Sequence, residues 1–304
     1  MLTKSFPIDP RVSAAGRLLG AQIAIGAAAI FARFALASAG PLVVSALRLG
    51  IATVVLGFFV RKFALLSKRR EIAFALAGCA LAVHFATWIT SLRYTSIAIS
   101  TLLVTTTPLW TEIYEMLARR RWPSPRFAIA LACAIAGVAL VAFSGAPHRA
   151  PVPGHAAYGA ILALIGSIAI GAYLLIVRAA GEGPATRRLA TRQIVVRTYG
   201  WATLALVIAS YVARERPPSA HDASAWGGIL AMALVSQLLG HTLLNAALGT
   251  FAPSLIALTT LLEPVIAAIL AAAIFHETLS ATTAVGGILV LVAVGVSLAE
   301  ESRR

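Results

Sequence analysis

The sequence predicts an all-α membrane protein of ten transmembrane helices, arranged as two inverted five-helix repeats with the N and C termini cytoplasmic. Three observations predict this fold: long apolar runs, an uneven distribution of Lys and Arg, and a similarity between the two halves of the chain. Of the 304 residues, 60% are hydrophobic and 12% are charged, and the mean hydropathy is +0.89. Because soluble domains carry about 25% charged residues, most of this chain is expected to lie in lipid.

The apolar runs define the ten helices. A helix needs about 20 apolar residues to cross the hydrocarbon core of a bilayer. Ten segments meet this requirement: 17–37, 41–60, 72–91, 96–118, 127–144, 156–178, 193–212, 226–247, 252–274 and 281–299. The breaks between them are rich in Pro, Gly and charge, as in SKRRE at 67–71 and RRRWPSP at 119–125.

The positive charges orient these helices. With the N-terminus in the cytoplasm, 18 of the 25 Lys and Arg residues fall on the inner side, 4 fall outside and 3 lie within spans. Such an excess is typical of cytoplasmic loops. It also accounts for the net charge of +14 through contact with anionic membrane lipids. Since no single soluble face collects the charge, we expect no nucleic-acid partner.

The two halves of the chain resemble each other at an offset of 156 residues. SLRYTSIAISTLLVTTTPLW at 91–110 then lies against ALGTFAPSLIALTTLLEPVI at 247–266. This alignment places Pro108 on Pro264, which predicts two equivalent helix breaks. It also places Ser124 on Ser280, each directly before a new apolar run, where serine is a favoured N-cap.

An odd number of spans in each half requires the second half to enter the membrane upside down. The predicted division is a cytoplasmic segment at 1–16, a first repeat at 17–144, an external linker at 145–155, a second repeat at 156–299 and a cytoplasmic tail at 300–304. Inverted repeats are typical of secondary transporters, whose substrate site lies at the midplane between the repeats. The repeat therefore predicts transport by alternating access.

Three motifs carry a family resemblance over nearly the whole chain: HFATWITSLRYTSIAISTLLVTTTPLW at 84–110, ALTTLLEPVIAAILAAAIFHETLS at 257–280 and GGILVLVAVGVSL at 286–298. The chain resembles an EamA-type transporter of the drug/metabolite transporter superfamily. The resemblance implies eight helices in a central basket, helices 5 and 10 at its periphery, and export or exchange of small metabolites such as amino acids or drug-like compounds. It also implies a multi-pass protein of the bacterial inner membrane. RRRW at 119–122 stands where the second repeat has FHET, so the acidic loop residue of the family occurs only as Glu277.

Polar residues recur at helical spacing inside several spans. We predict that they line a substrate cavity, with these members: His84, Trp88, Thr105, Trp110, Gln237, His241, Asn245 and Thr259. The tryptophans would offer flat apolar contact, and the histidines would donate, accept or titrate near neutral pH. The same spacing also fits hydrogen bonds that merely join neighbouring helices, and both interpretations stay open.

Two charged residues inside spans are further candidates. Glu263 lies mid-span beside Pro264, where a charge costs at least about 2.5–3.5 kcal/mol. It is the candidate for proton coupling. The alternative is a protonated carboxyl that bonds into the helix break or to His241 across the bundle. Arg48 is the candidate anion contact, with a substrate carboxylate or Glu277 as its partner.

These observations favour a secondary-active exporter over a passive facilitator or channel and over an intramembrane enzyme. The chain contains no HExxH, GxSxG or P-loop motif, so we predict no enzymatic activity, no cofactor and no bound metal. The predicted partners are a small-molecule substrate and membrane lipids, with protons as the candidate coupling ion. Small residues near Gly137 fit a monomer or a homodimer. Cys79 and Cys133 are predicted to be buried in helices.

Overall fold

The structure is a computed structural model, and it describes residues 10–95, 97–120, 122–143, 155–181, 189–275 and 280–302. Fourteen α-helices, one π-helical stretch and one 3₁₀ turn form the regular elements of these ranges. The α-helices are α1 Pro10–Gly26, α2 Ala28–Ala35, α3 Pro41–Phe58, α4 Lys68–Ser91, α5 Ile97–Val104, α6 Thr107–Arg119, α7 Pro125–Phe143, α8 Ala156–Gly181, α9 Thr191–Val212, α10 Ala223–Ala231, α11 Thr242–Ala247, α12 Pro253–Thr259, α13 Glu263–Phe275 and α14 Ala281–Ser302.

Each predicted span coincides with one helix or with consecutive helices. Eight of these segments are long and apolar enough to cross a membrane. Of the other two, α7 is a shorter apolar helix, and the fourth span is divided into α5 and α6. The protein is therefore an all-helical, multi-pass membrane protein.

Helix starts follow the local sequence. The Ser124 hydroxyl accepts a hydrogen bond from the Phe127 backbone N–H at 3.2 Å, and Ser280 accepts one from Thr283 N at 3.0 Å. These bonds satisfy N–H groups that the first turn of a helix leaves without a partner. Both predicted N-caps are confirmed, at equivalent places before α7 and α14.

Both aligned prolines follow an interruption in their helix. Α5 ends at Val104 and α6 begins at Thr107, so that Pro108 is its second residue. In the second half, a 3₁₀ turn at Thr260–Leu262 separates α12 from α13, and Pro264 is the second residue of α13. Proline lacks a backbone N–H and is accommodated in the first turn of a helix, which accounts for a break directly before each one.

The pattern of helix packing is nearly unchanged when the two halves are exchanged. The third span, α4, packs along α8, the sixth span. Its counterpart is the eighth span, which consists of α10, the π-helical stretch Met232–His241 and α11. This span packs along the first span, which consists of α1 and α2. The seventh span, α9, packs against the second, α3, and the tenth, α14, packs against the fifth, α7. Each repeat therefore completes its packing against the other.

The outer surface of the bundle is apolar. Large hydrophobic side chains are exposed along most long helices, as at Val54 of α3, Leu204 of α9 and Leu291 of α14. Apolar surface on this scale indicates contact with lipid or another protein. The prediction that both cysteines are buried is wrong, because Cys79 and Cys133 are exposed. A small, weakly polar thiol is compatible with a surface that faces lipid.

Candidate functional site

A small cavity lies where the two helix breaks face each other in the middle of the bundle. Fourteen residues line it: Ile25, Ala28, His84, Phe85, Trp88, Val104, Thr105, Thr107, Ile170, Leu174, His241, Leu244, Thr260 and Glu263. Its volume is about 30 Å³, which is room for one or two water molecules. Because pockets that hold small ligands measure about 300–1,000 Å³, the helices must move apart before this cavity accepts a metabolite.

The lining comes from equivalent spans of the two halves. The first, third and fourth spans supply it from one side, and the sixth, eighth and ninth spans supply it from the other. His84 of α4 and His241 of the π-helical stretch are the corresponding histidines, 24 and 23 residues before the aligned prolines. The cavity therefore lies between the repeats.

Aromatic rings form one wall of this cavity. The Phe85 ring meets His84 with centroids 4.7 Å apart and His241 at 5.4 Å in an edge-to-face arrangement. Trp88 stacks beside His84 at 6.1 Å. His84 Nδ1 lies 2.9 Å from the Gly166 carbonyl oxygen. A carbonyl only accepts hydrogen bonds, so Nδ1 carries the proton and Nε2 of the neutral ring is an acceptor.

Glu263 is the acidic residue of the cavity lining. It begins α13 directly after the 3₁₀ turn, so its carboxyl lies at the second helix break. Thr105 and Thr107 line the cavity at the first break. At the offset of 156 residues Thr107 aligns with Glu263, so this difference between the two repeats falls on one cavity.

Arg48 of α3 is fully buried behind the cavity wall. Its Nη2 donates to Gln237 Oε1 at 2.9 Å, and its guanidinium carbon lies 4.1 Å from the centre of the Phe85 ring. Such a cation–π contact stabilises the charge. The predicted partner Glu277 lies outside the described residues.

Three predicted cavity residues are engaged elsewhere. Asn245 accepts a hydrogen bond from the Tyr173 hydroxyl at 2.6 Å and donates to the His241 carbonyl oxygen at 2.7 Å. Thr259 accepts from Gln22 Nε2 at 2.8 Å. Gln237 is joined to Arg48. These side chains are buried and connect helices, as in the second interpretation of the polar residues that recur at helical spacing.

Trp110 of α6 also lies outside the cavity. It lines a groove of about 830 Å³ between α4, α6 and α8, whose apolar walls end at Arg69 and Arg70. A contact of hydroxyls lies between α8 and the α5–α6 break, beside Thr107 of the cavity lining and Ile168 of the groove lining. Ser167 Oγ of α8 is 3.1 Å from Thr106 Oγ1 and 3.3 Å from Thr107 Oγ1.

Sequence reasoning missed several residues of this region. Phe85 is the central ring of the cavity wall, but an apolar residue in an apolar span gives no polar signal. Ser167 lies in GSIAIG at 166–171, and a serine in a stretch that contains Gly and Ala is typical of helix packing. Tyr199 is fully buried in α9, and a single tyrosine in an apolar span does not indicate whether it faces lipid or protein.

No cluster of three or more His, Cys, Asp or Glu side chains suited to a metal ion occurs within the described ranges.

The sequence profile of the EamA-like transporter family matches residues 14–143 and 157–299.

The chain belongs to the EamA-like transporter family. The two matches show that the family repeat occurs twice, as the internal similarity predicted. A solved structure described as "Crystal structure of protein" is similar in fold, with a TM-score of 0.76 and 15% sequence identity. The similarity covers 96% of this chain and 98% of that one. A search of the curated proteins found no match.

Proposed function

We propose that this EamA-like protein is a secondary-active transporter of the bacterial inner membrane that exports or exchanges small metabolites, such as amino acids or drug-like compounds, by alternating access. The observation that carries the proposal is the cavity between the repeats, lined by equivalent spans and by both helix breaks. Two similar halves can exchange conformations, so that one site opens first to one side and then to the other.

The groove between α4, α6 and α8 is the proposed route to the cavity from the cytoplasm. Under the predicted orientation, its Arg69 end faces inward. Its walls also carry Trp110 and Tyr114, which offer flat apolar contact. The hydroxyl contact between Ser167 and the α5–α6 break would then act as the closed inner gate. A cavity of one or two waters favours a gated carrier over an open channel.

A disulfide across the gate tests this route. Thr106→Cys and Ser167→Cys, in a Cys79→Ala/Cys133→Ala background, place sulfur atoms where oxygens now lie 3.1 Å apart. A small further approach brings them to the S–S distance of about 2.05 Å. Oxidation should abolish substrate flux in proteoliposomes, and reduction should restore it. The matched controls are the two single-cysteine variants, which should be insensitive to oxidant. Full flux through a cross-linked double variant would refute the gate.

Glu263 is the proposed coupling site for protons. Substituting Glu263→Gln should make uptake into proteoliposomes independent of the pH gradient, because the amide cannot take up or release a proton. Glu112→Gln is the matched control, since Glu112 also belongs to a span but does not line the cavity. Transport by Glu263→Gln at the wild-type rate and with wild-type pH dependence would exclude coupling through this carboxyl. Carrier activity itself is tested by a metabolite library, through saturable flux and counterflow.

The orientation has its own test. Cysteines introduced at Leu66 and Ser219, the equivalent loops of the two halves, should label from opposite sides of the membrane, with Leu66→Cys accessible from the cytoplasm. Labelling from the same side would contradict the inverted arrangement.

A further inference from the structure

Buried polar atoms without a partner cluster at one place behind the cavity wall. Among the described residues, Arg48 Nε and Nη1, Gln237 Nε2, the Tyr199 hydroxyl and the Thr242 hydroxyl are all buried and have no well-aligned hydrogen-bond partner within 3.5 Å. Tyr199 interacts only weakly with Thr242, Gln237 and Asn245 around it. Buried polar groups are almost always paired with protein, water or a ligand, so several orphans in one place need an explanation.

These groups belong to neighbouring helices and lie close together. Arg48 of α3 and Gln237 of the π-helical stretch are joined by their hydrogen bond of 2.9 Å. Thr242 and Gln237 lie near the Tyr199 hydroxyl of α9, which also feels the charge of Arg48. Α3 packs against both α9 and the π-helical stretch, which brings the four side chains into one cluster.

The chemistry of the cluster is that of a hydrogen-bond donor set. The guanidinium N–H groups and the Gln237 amide nitrogen only donate, and the two hydroxyls can donate. The cluster also carries a positive charge that is not neutralised locally, because no carboxylate in the described part of the chain forms an ion pair with Arg48 within 4.0 Å. Glu263 acts on Arg48 only through space. An isolated buried charge is costly.

We propose that Arg48, Gln237, Tyr199 and Thr242 form a buried binding site for a small monovalent anion, either a halide or the carboxylate of a small organic acid. The anion pairs with the guanidinium on the side not used by Gln237, while the Phe85 ring covers the guanidinium face. Water alone would satisfy the donors but would leave the charge of Arg48 unpaired. The site lies behind the cavity, and it does not depend on whether the protein transports anything.

Thermal unfolding of the purified full-length protein in detergent tests this site. The protein is titrated with sodium chloride, sodium bromide or sodium acetate. Sodium methanesulfonate, which is neither a halide nor a carboxylate, keeps the ionic strength constant. The proposal expects a saturable rise in the melting temperature, because a ligand that binds only the folded state stabilises it. Saturation by the halides indicates an inorganic ion, and saturation by acetate alone indicates a carboxylate site. Melting that is independent of the anion would overturn the proposal.

Two conservative variants separate the site from general packing. Tyr199→Phe removes a hydroxyl that has no well-aligned hydrogen-bond partner within 3.5 Å, so it should lower the anion-free melting temperature only slightly. It should raise the dissociation constant of the anion about tenfold, as expected for one lost hydrogen bond to a charged group. Tyr173→Phe is the matched control, because its hydroxyl is used by Asn245. It should lower stability without changing the dissociation constant.

An unchanged dissociation constant in Tyr199→Phe would refute the assignment of this cluster. Diffraction from wild-type crystals grown in bromide gives a second measurement that needs no variant. An anomalous peak beside the Arg48 guanidinium supports the site. If halides raise the melting temperature but the crystals show no such peak, the proposal is overturned.

Discussion

The crossing of α7 and α14 depends on two glycines that face each other across the helix contact. A methyl group built on Gly286 would lie 2.5 Å from the Gly137 carbonyl oxygen and 2.9 Å from Leu140 Cβ. A methyl on Gly137 would likewise lie 2.6 Å from the Gly286 carbonyl oxygen. The nearest atoms are backbone, which cannot turn aside as a flexible side chain would. Substitution at either glycine must therefore push the helices apart.

The size of this effect follows from the distances. Ordinary van der Waals contact begins at 3.4 Å, so relief of the 2.5 Å approach in Gly286→Ala requires a separation of about 0.9 Å. A gap of about 0.5–1 Å forfeits a quarter to a half of each van der Waals attraction across a contact. We expect Gly286→Ala to lower the free energy of unfolding by about 1–3 kcal/mol, the usual cost of overpacking.

Gly137→Ala should cost a similar amount, and the double variant should cost much less than the sum, since one separation relieves both clashes. The control is Gly295→Ala in the same helix, where an added methyl meets no described atom within 4 Å. It should be neutral or stabilising by up to about 1 kcal/mol, because alanine favours helix over glycine.

Reversible unfolding in mixed micelles of dodecyl maltoside and SDS measures these free energies. A Gly286→Ala variant as stable as Gly295→Ala would refute the close contact between α7 and α14 at these glycines. A destabilisation that depends on protein concentration would place Gly137 between two copies of the chain, as the homodimer alternative supposed. Since neither α7 nor α14 lines the cavity, transport per folded molecule should be unchanged.

Two other predictions concern the ends of the bundle. Hydrogen bonds from the Ser38 hydroxyl and the Ala225 backbone N–H hold the pKa of Asp222 below its ordinary value of 3.8. The ionised carboxylate therefore stabilises the fold fully above pH 3.8, and this stabilisation is lost as the pH falls through the lower folded-state pKa. The stability difference between wild type and Asp222→Ala, measured by melting, should therefore be constant from pH 5 to 7 and shrink only in stronger acid. At the other end, Arg197 pairs with Glu71 at 3.1 Å and donates to the Ala64 carbonyl oxygen at 2.6 Å. Arg197→Leu should speed hydrogen exchange in the α3–α4 loop, and unchanged exchange there would show that these bonds do not hold the loop.

The helices and their breaks could be predicted from the sequence because both depend on local chemistry. Apolar length decides where a helix can cross lipid, and a serine before an apolar run decides where α7 begins. The positions of Pro108 and Pro264 indicated two breaks because proline acts on its own turn. Cys79 and Cys133 show where local reasoning fails, since an apolar residue of a membrane helix can face either lipid or protein.

The membership of the cavity could be predicted only in part. His84, Trp88, Thr105, His241 and Glu263 line it. Trp110, Gln237, Asn245 and Thr259 do not, because helical periodicity gives the face of a residue but not the neighbour opposite that face. Trp110 faces the groove beside α8, and Asn245 is hydrogen-bonded to Tyr173.

The sequence by itself indicated the apolar spans, the repeat and the unusual position of Glu263, since these follow from hydropathy, from similarity at a constant offset and from the cost of a charge in lipid. Only the tertiary structure decided that Glu263 meets the first helix break in one cavity, that Arg48 lies behind Phe85, and that Gly137 packs against α14. These are contacts between residues more than 35 positions apart in the sequence. They depend on how the two repeats pack on each other, and no local pattern records that arrangement.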